Sequence, residues 1–147
     1  MLYPIFQYAY FVNDVEEAAH KWHRLYGAGP FVLVPHHKTE KFQYRGTKQE
    51  ADVSYGFGYL GDNQIQFIQQ HDETPSIYRD MYQKGEEGFH HAGCLVNDFA
   101  AARERMLNLG FANACELWAD DVNAAYFDTR EVNGGFTEIH GDPLHIL

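Results

Sequence analysis

Two stretches decide how this chain is read: Gln7-Tyr-Ala-Tyr-Phe-Val-Asn-Asp14 and, 84 residues later, His91-Ala-Gly-Cys-Leu-Val-Asn-Asp98. Each is a largely apolar run of strand type that ends in Val-Asn-Asp, and a helical pattern follows each one. Val15, Ala18, Ala19, Trp22, Leu25 and Tyr26 recur at the interval that places them on one helix face. Phe99, Ala102, Met106 and Leu109 do the same in the second copy. Asp14 and Asp98 are good N-cap residues, Asp14 with Glu17 at the capping-box position. Gly27 and Gly110 suit the left-handed residue that stops a helix. A strand and a capped helix therefore occur twice, the mark of a repeated unit.

Working outward, three β-like runs follow each helix: Pro30–Pro35, Ala51–Leu60 and Asn63–Gln69, then Ala112–Trp118, Val122–Thr129 and Phe136–His140. Each half reads β-α-β-β-β. The organisation expected is a first module over 1–70, a linker over 71–87 and a second module over 88–147, together one α+β domain. Pro75 is placed to start a short helix over 77–82, and the polar segment 36–49 reads as a loop overhanging a site.

Alternation along the strands assigns faces. Gln7 interrupts an apolar face of the first strand. Val53, Tyr55, Phe57 and Tyr59 form a bulky face opposite Glu50, Asp52, Ser54, Gly56 and Gly58. Ile65 and Phe67 oppose Gln64 and Gln66, and Thr137 and Ile139 oppose Glu138 and His140. The pattern predicts helices behind the sheet and a ligand cavity in front, with Gly56 and Gly58 leaving room for a ligand and the aromatic run Tyr8, Tyr10, Tyr55, Phe57 and Tyr59 packed against the helices. The plain alternative is a half-exposed antiparallel sheet whose outer face is wet.

The balance of 11 Lys+Arg against 21 Asp+Glu, a net charge of −10, speaks against nucleic acid and anionic membrane surfaces as partners. No run of ~18 apolar residues and no signal-peptide pattern is present. Two cysteines, Cys94 and Cys115, are too few for a disulfide framework. A cytoplasmic protein with a small-molecule substrate is expected.

The residues resemble the vicinal-oxygen-chelate superfamily, that of glyoxalases, methylmalonyl-CoA epimerases, extradiol dioxygenases and bleomycin-resistance proteins, over nearly the whole chain. His90-His91 before Ala92-Gly93-Cys94, and the stretch Glu50 to Gln66, are similar to the epimerase-like branch. The resemblance implies two βαβββ modules forming a curved, half-open, antiparallel-rich mixed sheet, a cup in which four side chains hold a divalent metal. The matching positions are Gln7, Gln66, His91 and Glu138, and Glu50 falls on the proposed proton-transfer base. The family is mostly dimeric, so a homodimer is expected.

Two glutamines leave the set with one carboxylate and one imidazole, and neutral amides are weaker ligands. A two-histidine, one-carboxylate iron triad cannot be built from these positions, which disfavours a dioxygenase. Proton transfer beside a carbonyl asks less of the ion: Mn, Co, Ni, Zn or Mg would serve. The expectation is an epimerase, isomerase or glyoxalase-type lyase acting on an enolisable carbonyl or thioester, with Glu50, Glu138 and His140 as candidate catalytic residues. The alternative is a metal-free protein that binds or sequesters a small molecule in the same cup.

Overall fold

The computed structural model describes residues 2–38, 42–118 and 123–141. The elements are β1 (Ile5–Phe11), α1 (Val15–Tyr26), β2 (Val32–Lys38), β3 (Gln43–Tyr44), β4 (Thr47–Lys48), β5 (Asp52–Leu60), β6 (Asn63–Gln70), β7 (Gly88–Val96), α2 (Phe99–Asn108), β8 (Asn113–Trp118), β9 (Asn123–Asp128), α3 (Arg130–Asn133) and β10 (Phe136–Gly141). The helix signals act as read. The Asp14 carboxylate accepts the Glu16 and Glu17 N–H groups at 3.0 and 3.1 Å, and Gly27 ends α1 at φ 72°. The Asp98 carboxylate accepts from the Ala101 N–H at 3.1 Å. Replacing Asp14 by alanine orphans two donors and is expected to cost about 1 kcal/mol, read by calorimetry as a fall in Tm of roughly 2–4 °C.

All strands join one mixed sheet in the order β2-β5-β6-β1-β7-β10-β9-β8-β3-β4, with β1 parallel to β6 and antiparallel to β7, and β7 parallel to β10. This α+β arrangement carries the fold expected from the sequence. The curvature follows from chain connectivity. Lys38 in β2 and Gln43 in β3 are five residues apart in sequence, a reach of at most about 18 Å. In a flat sheet their strands would stand about 38 Å apart, eight interstrand steps of about 4.8 Å. The sheet therefore bends until its two edges approach, and the hairpin of β3 and β4 pairs onto β8.

Helices α1 and α2 cover the convex face. Val15, Ala18 and Trp22 of α1 pack on Ile65 and Phe67, and Phe99, Ala102 and Met106 of α2 pack on Ala125, Phe127 and Ile139. The concave face is partly filled by the segment between the halves: Ile77, Tyr78, Met81 and Tyr82 pack against Ala9, Phe11 and Phe136.

Several details differ from expectation. Leu25 and Tyr26 are 72% and 55% exposed, because the last turn of α1 runs past the apolar cluster beneath it. The segment 77–82 forms hydrogen-bonded turns rather than a helix, opened by the Ser76 hydroxyl, which accepts the Tyr78 and Arg79 N–H groups. In 36–49, β2 extends to Lys38 and the β3–β4 hairpin follows; residues 39–41, and Val122 of the expected run Val122–Thr129, lie outside the described residues. Gly56 and Gly58 make room for the protein itself: a Cβ on Gly58 would sit 2.4 Å from the Phe31 ring. Tyr55 and Phe57 consequently face the cavity rather than the helices. No helix among the described residues is long and apolar enough to cross a membrane.

Candidate metal centre

The four central strands, β6, β1, β7 and β10, lie side by side, and their register builds two adjacent rungs of the concave face. One rung runs Gln64, Gln7, Gly93, Glu138, and the other Gln66, Ala9, His91, Phe136. The candidate ligands thus flank two small residues: Gln7 and Glu138 lie on either side of Gly93, and Gln66 and His91 on either side of Ala9. The missing side chain matters, since a Cβ on Gly93 would lie 3.2 Å from each of Gln7 Cβ, Gln7 Oε1 and Glu138 Oε1. All four candidate ligands are buried.

A bulge sets the chemistry of His91. Ala9 pairs with His91 and the next residue, Tyr10, pairs with Phe89, so His90 is an extra residue in β7. The bulge brings both imidazoles together, with His90 Nδ1 2.8 Å from His91 Nδ1. His90 Nε2 faces the Ile77 carbonyl at 3.1 Å, and a carbonyl only accepts, so Nε2 carries the proton. Burial lowers His90 to about 4, and it is neutral. Its Nδ1 is then bare and accepts the His91 Nδ1–H. His91 is held well below the ordinary histidine range by burial and the neighbouring ring, so it too is neutral, with a bare Nε2.

That lone pair lies 2.9 Å from Gln7 Oε1 and 3.7 Å from Glu138 Oε1. Gln7 Nε2 donates to Gln64 Oε1 at 2.7 Å, which turns the Gln7 oxygen toward His91. Gln66 Oε1 is buried with no hydrogen-bond partner among the described residues. Burial raises the Glu138 carboxyl, offset in part by His140 and by the Tyr126 hydroxyl, which donates to it. One imidazole nitrogen, the Gln7 amide oxygen and the Glu138 carboxylate converge with no proton to share between the imidazole and its oxygen neighbours, and register places Gln66 one strand away, across Ala9 from His91. This donor set fits a divalent cation of hard to borderline character.

Outer-sphere partners that fix a ligand's tautomer are commonly worth 10–100-fold in metal affinity. His90→Phe keeps an aromatic ring against Tyr78 and Phe136 but removes the acceptor for the His91 Nδ1–H. It is expected to weaken Co²⁺ binding by about 10–100-fold in calorimetric titration, with the far-UV spectrum unchanged.

Above these residues a cavity of about 400 Å³ opens, lined by Phe6, His37, Phe42, Tyr55, Phe57 and Tyr126 around Gln7, Gln64, Gln66, Glu138 and His140. Its walls are aromatic and its floor is polar.

A sequence model of the Glyoxalase/Bleomycin resistance protein/Dioxygenase superfamily matches residues 6–128. The chain belongs to this superfamily. Among proteins of curated function, none matches it in sequence. Among solved structures, methylmalonyl-CoA epimerase from Mycobacterium tuberculosis is similar at TM-score 0.67 and 16% identity, covering 99% of this chain and 94% of its own. A single-residue variant of Streptomyces coelicolor methylmalonyl-CoA epimerase, in complex with 2-nitronate-propionyl-CoA, gives 0.69 and 15%, covering 97% and 96%. A hypothetical protein from Bacillus halodurans C-125 gives 0.66 and 14%, covering 95% and 94%. Likeness at these identities concerns the fold.

Within this glyoxalase-superfamily cup, Gln7, Gln66 and Glu138 line the cavity, His91 is buried against Gln7 and Glu138, and His140 lines the cavity half-buried. Glu50 does not join them: its side chain is 66% exposed, 3.5 Å from Lys48 Nζ, and is absent from the cavity wall. It lies between β4 and the start of β5, where a polar side chain turns to water. His37, Phe42, Gln64 and Tyr126 are additional wall residues, and His90 is the buried partner of His91. Alternation could have suggested Gln64, which shares the face of Gln66, but nothing local announced the bulge at His90.

Proposed function

We propose that this glyoxalase-superfamily protein is a metal-dependent proton-transfer enzyme of epimerase or isomerase type, acting on an enolisable acyl thioester or related carbonyl compound. The observation that carries this reading is the approach of the Gln7 amide oxygen and the buried Glu138 carboxylate to His91 Nε2, with the unpartnered Gln66 on the same cavity wall. Gln7, Gln66, His91 and Glu138 would hold the ion. When bound, a divalent cation supplies an electrophile for a carbonyl oxygen, and a single anionic ligand leaves the site net positive toward a developing enolate.

The chain's own residues set what else the site can do. His140 Nδ1 lies 3.2 Å from the Gly141 carbonyl and so donates to it, leaving Nε2 with the lone pair that accepts a proton. Among the described residues lining the cavity, His140 and His37 are the imidazoles outside the proposed ligand set, and His140 is the proton carrier in this reading. Phe6, Phe42, Tyr55 and Phe57 provide an apolar wall for the acyl group, and no Lys or Arg is among the described lining residues. That lining suits an acyl chain without a second carboxylate. The solved epimerase relative holding 2-nitronate-propionyl-CoA supports a thioester as the first class to try.

The test is solvent deuterium exchange at the α-carbon of short acyl-CoA thioesters, with protein loaded with Mn²⁺ or Co²⁺ and followed by mass spectrometry. Exchange that disappears in Glu138→Ala and falls sharply in His140→Ala is expected. A loaded protein inert toward every thioester and α-substituted carbonyl compound tried, or an undiminished rate in Glu138→Ala, would sink the enzyme reading. Tight binding of aromatic small molecules without exchange would replace it with a sequestering protein.

A further inference from the structure

A second set of metal-type donors lies at the other end of β5 and β6, on the opposite face of the sheet. Pairing between β2 and β5 slips between Val34 and His37, and His36 sits in the slip at φ 48°. The slip separates the two neighbouring imidazoles: His37 lines the cavity, while His36 packs against Asp52 and His71. His36 Nδ1 lies 3.2 and 3.1 Å from the two Asp52 carboxylate oxygens, and its ring stacks on that of His71 at 4.1 Å between centroids. One ligand atom from each of the three residues lies within 4.8 Å of the other two.

The surroundings hold this group in place. Ser54 Oγ accepts the His36 backbone N–H at 3.0 Å and lies 2.6 Å from His71 Nε2, so one hydroxyl ties the slipped strand to the His71 ring. The His71 N–H donates to the Asp52 carbonyl at 2.9 Å, and the Asp52 N–H to the Asp72 carboxylate at 3.1 Å. Ser54 is buried, whereas the His36 side chain is 64% exposed, so the base is rigid and the donors are open to solvent. The face is that of the helices: Asp52 and Ser54 alternate with Val53 and Tyr55, and Tyr55 lines the cavity.

We propose that His36, Asp52 and His71 form a second divalent transition-metal site, separate from the cavity, that clamps the end of β2 to the start of β5 and the end of β6. Two imidazoles and a carboxylate select borderline ions such as Zn²⁺, Co²⁺ or Ni²⁺ over Mg²⁺ and Ca²⁺. Three protein ligands leave coordination positions to water. The net charge of −10 raises the local concentration of cations around the chain. Because His37 follows His36 directly, the clamp also steadies a strand end that forms part of the cavity wall. The proposal does not depend on the reading of the cavity given above.

The test counts Zn²⁺ ions bound per chain, by equilibrium dialysis with elemental analysis, in the wild type, His36→Asn and His71→Asn. Asparagine accepts a positive φ more readily than most residues, and His36 and His71 are both exposed, so the variants keep the fold. Each variant is expected to bind one Zn²⁺ fewer than the wild type and to lose part of the Zn²⁺-dependent rise in Tm, with Mg²⁺ ineffective at this site. If the cavity binds its own ion the count falls from two to one, and if it does not, from one to zero. Stoichiometry unchanged in both variants, or no Zn²⁺ bound by the wild type beyond the ion lost in Glu138→Ala, would overturn the proposal.

Discussion

Glu138→Gln is expected to make the metal-free protein more stable while removing its capacity to bind a divalent cation in the cavity. Glu138 is buried, with a neutral imidazole 3.7 Å away and, among the described residues, no lysine or arginine along the cavity wall. Burial disfavours its charged form, and His140 and the Tyr126 hydroxyl offset only part of that. An unpaired buried carboxylate costs more than its neutral isostere of the same shape, so the substitution should stabilise the metal-free fold by about 1–3 kcal/mol. In a chelator-treated sample this would appear as a rise in Tm of roughly 3–9 °C.

The order reverses on loading. A cation present at about a thousand times its dissociation constant adds about 4.1 kcal/mol to the wild type, and the variant, having lost the anionic ligand, gains little. Two melting curves per protein, with chelator and with Co²⁺, therefore suffice. A variant that is less stable in chelator, or that shifts with Co²⁺ as far as the wild type, would show that Glu138 serves packing rather than an ion.

Gly93→Val is expected to lower cation affinity in the cavity by more than about 100-fold, equivalent to about 2.8 kcal/mol, although it removes no ligand. Gly93 pairs with Gln7 on one side and Glu138 on the other. Even a single Cβ there would meet three atoms of these two residues at 3.2 Å. Alanine asks them to give by a few tenths of an ångström, and valine adds two methyl groups that force them apart. β-Branched residues are at home in strands, so the backbone has no reason to object. Calorimetric titration with Co²⁺ gives the answer. Affinities within a factor of two of the wild type, in a folded variant, would mean that Gln7 and Glu138 do not share an ion.

What is legible in the sequence follows the range of the interactions involved. Asp14, Asp98 and Gly27 act within a few residues of themselves, and local patterns expose them. Alternation places Gln66, Glu138 and His140 on the cavity side because these strands are regular. The extra residue at His90 stays hidden, since a bulge exists only relative to a partner strand, here β1. The same applies to the pairing of Gln43 with Glu116, made across a large separation in sequence. Gly56 and Gly58 look in the sequence like space for a ligand, but Leu33 and Phe31 occupy it, and these come from another strand and from the segment just before it. Glu50 is matched by position in a motif, and its solvent-facing side chain depends on how the hairpin before it is docked.

The segment joining the two halves fills part of the cup without lining its cavity. Ile77, Tyr78, Met81 and Tyr82 sit on the same concave surface as the cavity, stacked beside Phe11 and Phe136, and none of them is a ligand. The proposed ligands and the residues that fill the rest of the concave surface thus come from separate stretches of chain, joined where the Ile77 carbonyl accepts from His90 Nε2. Side-chain changes in this segment would alter how much of the concave surface is filled while leaving the four candidate ligands in place, so copies of one scaffold could differ in the space beside the cavity without any change in the strands that carry Gln7, Gln66, His91 and Glu138.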